Sequence, residues 1–114
     1  MTKSRVQSPT PINREQASAV KNSPAMMIVF GAIADERLRQ RQLLREGKIL
    51  FNCDSPIVDL DRKLRVLMEE VGEVAREVDH IERGSEIARA KLRTELTQVA
   101  AVATAWLESF EVKS

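Results

Sequence analysis

Between Leu67 and Glu77 the chain reads Leu-Met-Glu-Glu-Val-Gly-Glu-Val-Ala-Arg-Glu, four carboxylates within eleven residues. On a helix turning about 100° per residue, Glu70, Glu73 and Glu77 share a sector roughly 60° wide beside an apolar stripe. Glu69 with Glu73 and Glu73 with Glu77 are i,i+4 pairs, and Glu70 with Glu73 is an i,i+3 pair; like charges so spaced cost a helix roughly 0.2–0.5 kcal/mol per pair. The segment has one basic residue, Arg76, and the positions four after Glu70 and Glu77 are Val74 and Ile81. Two readings stand side by side. A row of clustered oxygens can bind a hard cation; equally, the row can be a solvated acidic flank.

A second group lies 22 residues beyond Glu73. Glu95 is bracketed by Leu92, Leu96, Val99 and Val102, with Gln98 three residues on. An ionised carboxylate in an apolar seam is costly unless it is paired, hydrogen-bonded or metal-bound. A salt bridge to Arg62, Lys63 or an arginine nearer the N-terminus would satisfy it, and so would a metal shared with the first group. If the two segments form an antiparallel hairpin through Gly84-Ser85, Glu70 and Glu73 lie about a dozen residues before the turn and Glu95 and Gln98 about a dozen after it. At 1.5 Å rise per residue the two groups then meet at one height. That matching tips the reading toward the metal, with Glu70, Glu73, Glu95 and Gln98 as its ligands.

Other chemistry finds less support. Cys53 has no second cysteine and no neighbouring histidine, so neither a thiol nucleophile nor a zinc site is indicated. His80, near the end of its helix, reads as a cation at the negative helix terminus rather than a ligand. Gly31, Gly47, Gly72 and Gly84 are isolated, which excludes a glycine-rich phosphate loop. Anionic phosphates would need cations, and Lys63, Lys91, Arg93, Arg37 and Arg39 are the candidates, each also explicable as a solvated charge. Gln40, Phe51 and Trp106 could meet a base, although Trp106 fits a core or interface position better.

The elements that must carry these residues are helices. Ser23-Pro24 and Ser55-Pro56 each set a cap former before a proline suited to the first helical position, and Gly47 and Gly84-Ser85 mark ends. The spacing predicts helices over about 24–46, 56–83 and 86–111. Leu60, Leu64, Leu67, Val71, Val74, Val78 and Ile81 repeat in threes and fours in the second. Leu92, Leu96, Val99, Ala103, Trp106 and Phe110 do so in the third. Such stripes predict an all-α antiparallel bundle. From Val99 to Leu107 only Thr104 is polar, and a helix apolar all round needs cover on every side. Three helices of a short chain supply it poorly, so a second copy is expected to complete the bundle.

Length and composition set the frame. One hundred and fourteen residues make one domain. The formal net charge of +1 gives no excess to attract nucleic acid. A lone cysteine and no secretory pattern suggest a cytoplasmic setting. The apolar runs at 25–34 and 99–103 are far shorter than the roughly 20 residues a membrane span needs. Residues 1–23, with two prolines and few large aliphatics, carry a surplus of three positive charges; they read as a flexible polar leader with about one helical turn, or as a weak anion-binding arm. Residues 24–114 form the domain proper.

The segment from Leu67 to Ala75 and the later run from Glu95 to Glu108 together resemble the MazG-type branch of the all-α NTP pyrophosphatases. Asp35-Glu36-Arg37-Leu38-Arg39-Gln40 is similar to an upstream segment of MazG-like proteins, so the likeness spans residues 34–110. The resemblance implies a Mg²⁺-dependent hydrolysis of a nucleoside triphosphate, often deoxy or non-canonical, to monophosphate and pyrophosphate, in a homodimer or homotetramer. It implies metal ligation by Glu70, Glu73 and Glu95, with Glu69 accessory, and a carboxylate or metal-bound water as source of the nucleophile, Glu70 being the expected base. Where the family pattern ends in Asp this chain has Gln98, an oxygen donor with one negative charge fewer. The competing expectation is a non-catalytic helical dimer that binds nucleotide or protein and whose metal site has decayed at Gln98.

Overall fold

Capping chemistry sets the helix limits. The computed structural model describes residues 11–21 and 23–112, and among them every regular element is a helix: α1 (Arg14–Lys21), α2 (Pro24–Arg45), α3 (Leu60–Glu82) and α4 (Ile87–Ser109). The Ser23 hydroxyl accepts from the Met26 N–H at 3.4 Å, and Pro24 opens α2. At the other end Gly47 takes φ 70°, which lets the Lys48 N–H reach the Leu43 carbonyl at 2.9 Å. Gly84, with φ 96°, ends α3 in the same way through Ser85 N–H to the His80 carbonyl at 3.0 Å. Both are left-handed glycines closing a helix by a 6→1 bond.

Two boundaries differ from the sequence expectation. Ser55-Pro56 does not cap a helix; it makes a turn, with Val58 N–H donating to the Ser55 carbonyl at 3.4 Å, and α3 starts at Leu60. In the leader, Asn13 and Gln16 bond each other's backbone N–H at 2.8 and 2.9 Å. This reciprocal capping box nucleates the eight-residue α1, longer than the single turn expected. The expectation of a flexible leader over residues 1–10 lies outside the described residues.

The central helix is α4, packed against α3 on one side and α2 on the other, with α1 resting on α2. Its apolar run is buried at Ala101, Val102 and Ala105, while Leu107 stays 65% exposed. The irregular stretch 46–59 folds back so that Cys53 joins Val102 and Ala105 in the core, with Phe51, Val66 and Leu67 against them. Arg37 of α2 fixes that stretch. Its guanidinium donates to Glu108 through Nε (3.1 Å) and Nη2 (2.8 Å), to Asp54 through Nη2 (2.8 Å) and to Gln40 through Nη1 (2.7 Å). Asn52 Nδ2 adds a bond to the Gln40 carbonyl at 3.3 Å.

The α3 stripe divides. Leu67, Val74 and Ile81 are half-buried, whereas Leu60, Leu64, Met68, Val71 and Val78 are exposed. The sector turned toward α4 instead carries Lys63 and Glu77, 3% and 6% exposed, with half-buried Glu70 between them. No helix among the described residues is long and apolar enough to cross a membrane.

Candidate metal centre

The acidic row of α3 divides: Glu77 is buried and Glu70 half-buried, whereas the Glu73 side chain is 40% exposed and Glu69 faces solvent. The hairpin brings α4 alongside at the height expected. One amide position of Gln98 lies 3.0 Å from Glu70 Oε2 and 2.9 Å from Glu95 Oε2. Two orientations of that amide serve two conditions. With nitrogen there, Gln98 donates to both carboxylates and ties them together. With oxygen there, the Gln98 oxygen stands 3.0 Å from a Glu70 oxygen and 2.9 Å from a Glu95 oxygen, so donors from two helices face one point. Oxygen donors of this kind suit a hard cation.

Glu73 is the member that stands aside. It lies one turn from Glu70 and is paired with Arg76. Among the described residues no three Asp, Glu, His or Cys side chains are close enough to hold a metal by themselves; what meets across the seam is two carboxylates and an amide. Burial raises the Glu70 pKa above the usual carboxylate range, and the charges of Glu95, Glu73, Glu36 and Glu69 push it the same way. Carboxylates so crowded favour either a proton or a cation among them.

Beside Glu70 and Gln98 opens a cavity of about 380 Å³. One wall is apolar, from Leu43, Ile49, Leu50, Phe51, Val66, Val102 and Ala105; the buried Asn52 amide and Gln40 add polar groups. Glu36 and Arg39 of α2 complete the lining. Neither was expected in the centre from the α3 and α4 motifs. Arg39 is among the candidate cations for phosphate, and both residues lie in the Asp35–Gln40 segment of the resemblance, but nothing local says which face of α2 meets α3.

The cations expected near substrate separate clearly. Arg37 is 4% exposed with four of its five N–H donors engaged by Glu108, Asp54 and Gln40, so it is a structural hub and not an open phosphate contact. Lys63 is buried along a different cavity, of about 480 Å³, with Trp106 and Ser109. Lys91 is exposed, one turn before Glu95. Trp106 is half-buried in the α4 seam, with its indole N–H lacking a partner among the described residues. Glu77 Oε1 lies 3.5 Å from His80 Nδ1, and Glu77 Oε2 has no partner there. Burial pushes the Cys53 thiol up, against the nearby charges of Lys63 and Arg37, which suits an inert core thiol.

No known protein family, curated protein or solved structure matches the chain.

Proposed function

We propose that this protein is a Mg²⁺-dependent nucleoside triphosphate pyrophosphohydrolase of the MazG-like type, splitting an NTP or dNTP into a nucleoside monophosphate and pyrophosphate. The observation that carries the reading is the Gln98 amide set between Glu70 and Glu95 across the α3–α4 seam. The paired acidic motifs that resemble MazG-type enzymes meet there, next to a cavity with one apolar wall.

Glu70, Glu95 and Gln98 would hold the ion, and Glu73 would join them by releasing Arg76. Bound Mg²⁺, or Mn²⁺, supplies neutralisation of the phosphate charge that grows as the leaving group departs. Glu70 is the general base. The carboxylate oxygen of Glu70 not holding the ion would take a proton from the water whose oxygen attacks the α-phosphorus. The bond between the α-phosphorus and the bridging oxygen then breaks, and pyrophosphate leaves with that oxygen. The apolar wall of the cavity receives the base and excludes water from its faces. A second copy covers the exposed α3 stripe and completes the bundle.

The test is pyrophosphate release from a panel of canonical and modified NTPs and dNTPs with Mg²⁺. Turnover in the wild type that is lost in Glu70→Ala and Glu73→Ala supports the enzyme. Absence of turnover on every substrate leaves the non-catalytic helical dimer.

A further inference from the structure

We infer that the cleft on the α2 side of the metal centre is the subsite for the pyrophosphate end of the substrate, gripped by Arg39 of α2 and Arg93 of α4. This rests on the hydrolase reading and adds the location of the phosphates to it.

Arg39 is the one cation lining the cavity beside Glu70 and Gln98 among the described residues. It also lines an adjoining cleft of about 310 Å³, together with Asp35, Glu36, Arg93, Thr94 and Thr97. The two spaces therefore meet at the Glu36–Arg39 pair. That pair has a fixed geometry: Arg39 Nε donates to Glu36 Oε1 and Nη2 to Glu36 Oε2, both at 2.8 Å. The Glu36 side chain is 13% exposed and the Arg39 side chain 54% exposed, so the carboxylate backs the guanidinium from inside. Three N–H donors of Arg39 remain free for a ligand arriving from the open side.

Arg93 approaches the same cleft from the other helix. It stands two residues before Glu95, is exposed, and makes no ion pair among the described residues. The site thus passes from an apolar wall at Phe51 and Val102, by the carboxylates and amide of Glu70 and Gln98, to a cleft where Glu36 backs Arg39, Asp35 lies at the margin, and the guanidinium groups of Arg39 and Arg93 are the cations. A nucleoside triphosphate has the same order of base, reacting phosphorus and terminal phosphates. Planar guanidinium donors match phosphate oxygens bidentately, which makes arginine the fitting residue at that end.

The experiment is calorimetric titration of the full chain, in Mg²⁺, with inorganic pyrophosphate and separately with a nucleoside monophosphate. Arg39→Ala and Arg93→Ala are each expected to weaken pyrophosphate binding roughly tenfold or more and to leave monophosphate binding within about twofold, with Arg39→Lys recovering part of the loss. Melting curves confirm that each variant is folded. Unchanged pyrophosphate affinity in both alanine variants, an equal loss for both ligands, or no pyrophosphate binding by the wild type would overturn the subsite. If the wild type turns over NTPs while Arg39→Ala and Arg93→Ala bind pyrophosphate normally, the subsite alone fails. If pyrophosphate binding is lost in the variants while the wild type hydrolyses no triphosphate, the hydrolase reading fails and the anion subsite stands.

Discussion

Gln98 of α4 reaches Glu70 of α3 across the hairpin, its amide 3.0 Å from Oε2, and the same amide position lies 2.9 Å from Glu95. The amide is neutral, and that has opposite consequences with and without a cation. Without one, it can donate N–H to both carboxylates and relieve their repulsion. With one, it contributes oxygen but no charge. Gln98→Asp is therefore expected to tighten Mg²⁺ binding by roughly tenfold, since affinity in oxygen-ligand sites rises with carboxylate count. The same variant should melt lower than wild type in EDTA, because a third carboxylate then faces two others. Calorimetry with Mg²⁺ alone and paired melts check both halves; unchanged Mg²⁺ affinity would show that position 98 does not face the ion.

Glu70 gives a pH signature. Its folded pKa is raised by burial and by the charges of Glu95, Glu73, Glu36 and Glu69. A raised pKa means that the folded state binds the proton more tightly, so the stabilisation is complete below the ordinary glutamate value, about 4.3, and is lost as pH climbs through the raised value. In EDTA, Glu70→Gln should lack this loss. It is expected to melt a few degrees above wild type at neutral pH, on a scale of about 4 °C per kcal/mol for a domain of this size, and to lose that margin at pH 4. Adding Mg²⁺ should raise the wild-type melting temperature more than that of the variant. Identical melting curves across the pH range would contradict the assignment of Glu70 to a crowded, half-buried site.

Much of this was legible in the sequence, and what was not has physical causes. The meeting of Glu70 with Glu95 and Gln98 follows from the helical rise and a hairpin closed by Gly84, both local properties. The rotation of α3 about its own axis was not legible. Leu60, Leu64 and Val71 read as seam residues, yet they are exposed while Lys63 and Glu77 are buried. Most buried positions of α4 are small, Ala88, Ala101 and Ala105 among them, and a small-residue face leaves room for long side chains whose apolar stems pack while their ends reach for polar partners. Periodicity registers where aliphatic residues recur and not the volume available opposite them. The α2 side of the site was hidden for another reason. Arg37 and Arg39 are two residues apart and chemically alike, and only the path of residues 46–59, which delivers Asp54 to one of them, decides which becomes the hub.

Arg37 should accordingly matter for stability rather than for substrate. Burial lowers its pKa, and the hydrogen bonds and charges of Glu108 and Asp54 more than reverse that, leaving it raised overall. Arg37→Ala leaves the two carboxylates facing each other with only the exposed Arg41, at 3.0 Å from Glu108 and 3.6 Å from Asp54. A loss of about 2–4 kcal/mol in urea denaturation is expected, toward the lower side of the range for a broken buried pair because Glu108 and Asp54 are partly solvated. Arg37→Lys should recover little, since one ammonium cannot span Glu108, Asp54 and Gln40 together. A variant that keeps its urea midpoint but loses pyrophosphate affinity would instead return Arg37 to the substrate contacts.

The exposed stripe of α3 gives a last expectation, about assembly. Leu60, Leu64, Met68, Val71 and Val78 are each between 42% and 65% exposed and fall within about 80° of one another on the helix. They adjoin the sector that α4 already covers, and no other described helix packs on α3, so the described residues present one long apolar ribbon. Such a ribbon can be closed by its own copy, because a two-fold axis lays α3 along α3 and pairs each aliphatic residue with another; the net charge of +1 opposes the approach only weakly. Light scattering at micromolar concentration should give twice the 12.8 kDa chain mass. Leu64→Glu and Val71→Glu, one heptad apart, each place a charge in the ribbon and should weaken association on the order of 100-fold, while far-ultraviolet circular dichroism keeps its helical form. A wild type that scatters as a monomer would leave the ribbon without its second copy, and the two variants would then be indistinguishable from it in mass.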